Sequence, residues 1–414
     1  MIGACFAFML TLHAQTDSAV VIKSEFLYEQ ASFPSCHAST IVETKAGDLV
    51  CAYFGGTHEG HNDVGIWVSI KKQGTDKWEA PVLADDGTIN GEPTACWNPV
   101  LFEMPDGELW LFYKIAKTIQ TWEGYLVKSS DGGNTWSARE ALPKNFLGPI
   151  KNKPILLDGK LLCGSSTEVG GWRFHVEILD LKTNQWTYVG PVTSTMAVKT
   201  DDNQQHPIDC IQPSFLKLPD GRLQVLMRTH NARIATSYSS DNGASWTDVV
   251  LTDIPNNNAG TDALTLRDGR HVLIYNPVAT PAYQEFGART PLCLAISNDA
   301  IHWQHLITLE DAPASTGEYS YPAIIEGCDG TLHCTYTWRR ERIVHKQIKI
   351  PRLLARDFCL LKMFLRIESI PPGGIVLQPL LEPCHLGGQP LFFLRIVENV
   401  MILTLNFNQR YFAA

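Results

Sequence analysis

A turn glycine recurs along this chain at a spacing that only a stacked or radial fold accommodates. An apolar strand-like run, a tight turn ending in Gly and a second apolar run repeat, with the glycine at Gly47, Gly107, Gly159, Gly221, Gly269 and Gly330, at intervals of 60, 52, 62, 48 and 61 residues. Five of these turns read Asp-Gly (Asp106, Asp158, Asp220, Asp268, Asp329), the dipeptide that supplies the positive φ of a tight hairpin. A second landmark falls between them, Ser129-Ser130-Asp131-Gly132-Gly133-Asn134-Thr135-Trp136 and Ser239-Ser240-Asp241-Asn242-Gly243-Ala244-Ser245-Trp246, with decayed copies ending at Trp78, Trp186 and Trp303. Asp and Ser cap the turn's own amides, Gly takes the left-handed position and Trp packs between neighbouring units, a structural role. Each unit supplies about four short antiparallel strands, so six units in a ring make an all-β, six-bladed β-propeller. The last blade is expected to close by joining the two ends, with Ala19-Val20-Val21-Ile22 pairing near Arg342-Ile343-Val344.

The chain has 414 residues, 44% of them hydrophobic, enough to bury a large core. Thirty-four Lys and Arg against 43 Asp and Glu give a net charge of -9, which argues against nucleic acid as a partner, because its binding needs a basic stripe. An anionic ligand therefore requires a local arginine cluster. Eleven cysteines show neither a CxxC pair nor a Cys/His metal spacing, so neither a metal nor a cofactor is expected, and Cys51, Cys163 and Cys334 fall in strand-like runs as small buried hydrophobes.

Residues 1–15 form an apolar run with a small-residue exit at Leu12-His13-Ala14, read as a secretory signal, with a buried N-terminal strand as the alternative. A secreted or periplasmic protein is expected, and no later stretch reaches about 18 apolar residues, so no membrane span is expected. The propeller is assigned to residues 16–350. The tail, 351–414, contains no Trp and none of the repeat motifs; it reads as an added apolar module or as the product of a shifted frame or splice, and is given no function.

In a propeller the first strand of each blade lines the axis, and the polar residues six to ten positions before each turn glycine are His37, Asn98, Lys153, Gln212, Asp262 and Tyr321. Asn98, Lys153, Gln212 and Tyr321 precede Pro, which predicts an extended backbone there. The ring either contacts a ligand or satisfies itself and water in the channel. The second strands end at Phe54-Gly55-Gly56, Lys114, Glu168, Arg228, Asn276 and Arg339-Arg340, and a loop after the first blade carries His58, Glu59, His61 and Asp63, where a polar loop is favoured over a metal site.

The Ser-x-Asp-x-Gly-x-Thr-Trp box on a six-fold repeat resembles the sialidase (neuraminidase) superfamily and its Asp-box (BNR) propellers, over roughly residues 30 to 345. That family holds a sugar carboxylate with three arginines. The resemblance places Arg228 at the second, Arg289 at the third, Tyr321 at the tyrosine nucleophile and Asp63 at the acid/base aspartate. It also marks two departures: His37 stands at the first arginine, and Gln212 stands where a glutamate polarises the tyrosine.

The resemblance implies a monomeric retaining exo-glycosidase for an acidic sugar, with Tyr321 as nucleophile, Asp63 as acid/base, His37 as a replacement carboxylate partner or base, and Gln212 beside the tyrosine. Arg228, Arg289, Asn98, Lys153, Asp262 and Arg339 are the expected substrate contacts. Elimination on a uronic-acid polymer, with His37 and Tyr321 as base and acid, is the second reading. A non-catalytic glycan-binding propeller, its pocket lined by Trp97, Trp338 and arginines, is the third.

Overall fold

The structure, a computed structural model, describes residues 19–199, 205–281, 287–351, 393–397 and 400–404. The chain divides into two units, residues 1–352 and 353–414. Residues 1–15, read from sequence as a secretory signal, lie outside the described residues, as does most of the tail, of which a two-stranded hairpin, Phe393–Val397 with Val400–Thr404, is described.

Among the described residues, six four-stranded antiparallel sheets make the first unit, with one two-stranded ladder, Ala197–Lys199 with Gln205–Pro207, between blades III and IV in the chain. Blade I runs Ser35–Glu43, Leu49–Gly56, Gly65–Lys71 and Val82–Asp85; blade II runs Cys96–Glu103, Leu109–Ile115, Glu123–Ser129 and Glu140–Ala141. Blade III has Ile155–Leu157, Lys160–Thr167, Arg173–Asp180 and Gln185–Val192; blade IV has Cys210–Lys217, Leu223–Thr229, Arg233–Ser239 and Val250–Pro255. Asp262–Thr265, His271–Tyr275, Leu292–Ser297 and Gln304–Glu310 form blade V. Blade VI takes Tyr319–Glu326, Leu332–Trp338 and Arg342–Lys349 from the end of the repeat and its outer strand, Val20–Phe26, from the start. The only helical element among the described residues is a 3-10 turn, Ile119–Thr121.

Closure uses the expected strands in a longer register. Val20 faces Lys349 and Phe26 faces Val344, so the segment Ala19–Ile22 meets the far end of its partner rather than Arg342–Val344. The antiparallel direction requires this, because the chain must run the full strand length before turning into blade I.

The landmarks do the work their chemistry suggests. Every repeat glycine sits at positive φ, from +73° at Gly159 to +95° at Gly107. In blade II, Ser129 Oγ donates to Asp131 and accepts from Gly133 N at 2.8 Å, while Asp131 accepts from Thr135 N and Oγ1 at 2.9 and 2.6 Å. Those hydrogen bonds hold the Asp131 carboxyl down to about 2. Blade IV repeats the pattern through Ser239, Asp241, Gly243 and Ser245. The copy ending at Trp303 has lost its Gly and Thr yet keeps the scheme, with Asp299 accepting from Ile301 N and His302 N. Trp246 packs edge-on against Phe174 of blade III and tilted against Phe215 of blade IV, burying the face between two blades.

Such inter-blade faces make up the core. Val50, Ile66, Leu109 and Leu111 fill the gap between blades I and II, Phe174, Val176, Val225 and Met227 that between III and IV, and Val272, Leu294, Ile324 and Tyr336 that between V and VI. The described cysteines are free; all are buried except Cys328.

Candidate active site

Blades I, II, IV and VI kink their innermost strand at the axis, whereas blades III and V pair there without a shift. The register between first and second strands slips at His37/Thr40, Trp97/Val100, Ile211/Ser214 and Ser320/Ala323. The bulged residue in each is left-handed: Ala38 at φ +57°, Asn98 at +34°, Gln212 at +59° and Tyr321 at +52°. The extended backbone expected before proline is therefore wrong at Asn98, Gln212 and Tyr321. A bulge removes one residue from the ladder, and the following proline has no N–H to leave unpaired there. Holding a non-glycine residue at positive φ costs on the order of 1–3 kcal/mol and turns its side chain off the ladder. In blade I the bulge falls on Ala38, so His37 stays one ladder position earlier.

Tyr321, only 8% exposed, is the centre of the cluster. Its hydroxyl accepts from Arg228 Nη1 at 2.9 Å and from Gln212 Nε2 at 3.0 Å. Lys151 Nζ lies 5.7 Å from its ring centre, and the guanidinium carbons of Arg228 and Arg289 lie at 5.9 and 6.0 Å. The His37 imidazole sits 4.1 Å from the same ring, tilted by 47°, with Nδ1 2.8 Å from Thr337 Oγ1. Burial, reinforced by Arg340, Arg289, Lys151 and Arg228, drives the His37 pKa well down and keeps the ring neutral. A neutral imidazole offers a hydrogen bond rather than a third positive charge.

A third arginine joins the cluster from blade VI. Arg340, in the turn after the second strand of blade VI, sends Nε to Glu318 Oε1 at 2.8 Å and Nη1 to Glu59 Oε2 at 2.6 Å. Arg289 Nη1 reaches the same Glu318 oxygen at 3.2 Å. Burial alone would raise the Glu318 pKa, but the two guanidiniums outweigh it and lower it. Arg228 hydrogen-bonds neutral groups, Asn258 Oδ1 at 3.0 Å through Nε and the tyrosine hydroxyl through Nη1. Its guanidinium also lies over Trp172, 4.8 Å from the ring centre. Blades IV, V and VI thus each direct one arginine toward the Tyr321 region.

Several residues singled out from sequence lie elsewhere. Arg339 packs over Trp338 at 5.0 Å and pairs loosely with Glu341 at 3.9 Å, so the neighbouring Arg340 is the arginine in the cluster. Trp338 packs on Phe26, Arg339 and Arg342 at the closing strand, whereas Trp97 lies under the loop glycine Gly60 and beside Trp122. Lys153 and Asp262 form a 2.7 Å ion pair; Asp262 also caps Ile324 N and Ser214 Oγ, and Lys153 lines a cavity of about 390 Å³ with the far ends of the inner strands, Leu264 and Ile325. They brace the axis. Asn98 lends its carbonyl to Lys114 Nζ at 3.4 Å.

Lys151 was not singled out from sequence. Wholly enclosed, its ammonium donates to Asn152 Oδ1, Thr261 O and Pro322 O, tying blades III, V and VI together beneath Tyr321. Burial brings its pKa down to about 7, against the pull of Asp262. Lysine two positions before the Lys153-Pro154 step, in Lys151-Asn152-Lys153-Pro154, was the only available signal. Glu318 likewise lay unremarked three residues ahead of Tyr321.

Two further carboxyls, Asp63 and Glu168, are shifted in opposite directions. Asp63 accepts from Thr57 N at 2.9 Å and Thr57 Oγ1 at 2.6 Å and pairs with His61 Nδ1 at 2.7 Å. Burial works upward on it, but these bonds prevail and hold it at about 2. Glu168, at the end of the second strand of blade III, has its pKa raised by burial against Arg228 and the Trp172 indole, whose Nε1 lies 3.2 Å from Oε2.

A family model described as BNR repeat-like domain matches residues 47–334. No curated protein matches the sequence. Similar folds include a protein of unknown function from Dyadobacter fermentans, with a TM-score of 0.62 and 16% identity over 81% of this chain and 100% of that one. A mutant of the NanB sialidase from Streptococcus pneumoniae aligns with a TM-score of 0.56 and 14% identity over 77% of this chain and 69% of that one. The Trypanosoma rangeli sialidase aligns with a TM-score of 0.58 and 12% identity over 85% of this chain and 60% of that one.

Proposed function

The chain belongs to the BNR repeat-like family as a divergent member of the sialidase superfamily, and on that premise we propose that it is a glycosidase for a sugar that carries a carboxylate. The observation that carries the reading is the convergence of Arg228, Arg289 and Arg340 beside a buried tyrosine whose hydroxyl one of them already holds. Guanidiniums take carboxylates bidentately, and the arginine that bonds only neutral groups, Arg228, has charge to spare for one. Tyr321 then faces the reacting carbon as the nucleophile of a retaining reaction. Of these two shifted carboxyls, the proton for the leaving oxygen is assigned to Glu168, which burial keeps closer to protonation, rather than to Asp63, which its hydrogen bonds keep ionised. Outside the cytoplasm, secreted or periplasmic, such an enzyme would meet its glycans.

The test is a panel of fluorogenic glycosides of sialic acid, uronic acids and deoxysugars, read by fluorescence and by ultraviolet absorbance. Release from an acidic glycoside that disappears in Arg228→Ala supports the reading; release from neutral glycosides alone overturns it.

Elimination from a uronate is the second reading, favoured by one observation: Gln212 cannot take the phenolic proton, while a neutral His37 ring lies 4.1 Å from Tyr321. An absorbing unsaturated uronate without added water in the product would decide for it.

A further inference from the structure

Two groups that the proposed reaction needs for separate tasks meet on one indole. Trp172 stands in the turn between the second and third strands of blade III, Lys160–Thr167 and Arg173–Asp180. Its ring centre lies 4.8 Å from the guanidinium carbon of Arg228, and its Nε1 donates to Glu168 Oε2 at 3.2 Å. We propose that Trp172 is a positioning residue with two tasks: its ring holds the arginine that takes the substrate carboxylate, and its N–H aims the carboxyl that protonates the leaving oxygen. The inference rests on the proposed function, which gives Arg228 and Glu168 those roles.

No backbone ladder relates the two partners, because Glu168 follows a strand of blade III and Arg228 belongs to a strand of blade IV. Their separation therefore has to be set by side chains. Among the described residues, the indole is the one hydrogen-bond donor to the Glu168 carboxyl. Asn258 and Tyr321 fix the Nε and Nη1 groups of Arg228, and the indole lies against the guanidinium itself. A ring holds a guanidinium through its face without occupying an N–H, so the arginine keeps donors for a carboxylate.

The turn is built to keep that ring still. Gly170 and Gly171 take φ of +73° and +101°, and a Cβ on Gly171 would come within 3.1 Å of Arg173 Nη1. The same Nη1 donates to Trp172 O at 2.7 Å and to Asp209 Oδ1 at 2.6 Å, which ties the turn to the residue preceding the first strand of blade IV. The His230 ring packs on the indole with ring centres 3.6 Å apart.

The indole bond also bears on the proton. Burial raises the Glu168 pKa and Glu59 adds to it, whereas Arg228 and the indole N–H favour the ionised form. Removing the N–H alone therefore moves that pKa further up.

Two substitutions separate the tasks. Trp172→Phe keeps a ring beside Arg228 and removes the N–H; Trp172→Ala removes both. The measurements are kcat/KM against pH for the methyl and nitrophenyl glycosides of the acidic sugar, and calorimetric titration with free sialic and glucuronic acid. The Phe variant is expected to bind the acid within about threefold of the parent. It should lose about tenfold or more on the methyl relative to the nitrophenyl glycoside, with the basic limb of the methyl glycoside profile displaced to higher pH. The Ala variant should share that defect and bind the free acid about fivefold or more weakly than the Phe variant. Equal acid affinity in the two variants overturns the inference. So does a uniform loss on both glycosides in the Phe variant with the pH limb unmoved, the mark of a tryptophan that serves the fold alone. An unchanged glycoside ratio in the Phe variant overturns it as well, provided that Glu168→Gln changes the ratio. A ratio unmoved by Glu168→Gln, or a parent protein that neither binds the acids nor cleaves their glycosides, would instead overturn the function on which the inference rests.

Discussion

Arg228 Nη1 donates to the Tyr321 hydroxyl across 2.9 Å, joining the charge that would hold a carboxylate to the oxygen that would attack beside it. Arg228→Ala should therefore lose both functions, with kcat/KM on an acidic glycoside down by roughly 100-fold or more. Arg228→Lys should recover little of it, since an ammonium cannot bond the substrate bidentately and reach the phenol as well. Steady-state kinetics of the two variants checks this, and full activity in the lysine variant would sink it.

Gln212→Glu supplies an acceptor where Gln212 Nε2 now donates to the phenol. If hydrolysis through Tyr321 is the reaction, the rate should rise by about tenfold or more above neutral pH, as a positioned base contributes roughly 100- to 10,000-fold in favourable cases. Tyr321→Phe in the same background should return the rate to the level without enzyme. A glutamate variant no faster than the parent would favour elimination.

Glu168→Gln should slow substrates with poor leaving groups far more than activated aryl glycosides, because only the former need a proton. Asp63→Asn should slow both by a similar factor, through loss of the Thr57 and His61 bonds that order its loop. The ratio of the two substrates' kcat/KM in each variant is the readout; the reverse pattern returns the acid role to Asp63.

Stability should fall on mild acidification at the ring closure. Glu25, on the closing strand, bonds Lys71, Trp78 and His345, and His345 Nε2 lies 3.1 Å from His333 Nδ1. Burial, with His345 and Lys71 adding to it and Asp329 opposing, brings the His333 pKa down to about 4. A histidine depressed in the fold is protonated first in the unfolded chain, so its contribution is complete above about pH 6.5 and is lost as pH falls toward 4, at most about 3 kcal/mol. Urea midpoints between pH 7 and 4.5, compared with those of His333→Gln, isolate this part; parallel curves would exclude it.

Asp131→Ala removes two capping bonds and Asp299→Ala the matching pair in blade V. Each is expected to cost about 1–2 kcal/mol in chemical denaturation. A silent Asp299 substitution would show that the variant box there is ornamental.

The architecture was legible because the turn chemistry repeats: Asp-Gly and the Ser/Asp/Trp box declare themselves locally, and six turn glycines at such spacing leave one closed arrangement. The ring residues were legible to within one position, since counting from a turn reaches the bulge but not which residue the bulge expels; hence His37 for Ala38 and Arg339 for Arg340. Contacts between distant blades were not legible at all. Lys151 matters because Thr261 and Pro322 face it, and Glu318 because Arg289 and Arg340 share it, relations that no spacing along one strand records.

Val20–Phe26 completes a sheet whose other three strands arrive more than 290 residues later. During synthesis the first strand made must therefore wait, with its hydrogen-bonding edge unsatisfied, until the last has left the ribosome. The toroid acquires its full cooperativity in one late, long-range step, and folding speed is governed by that loop closure more than by any single blade. Splitting the chain between two blades and joining the present ends would relocate the seam without altering one contact inside the ring.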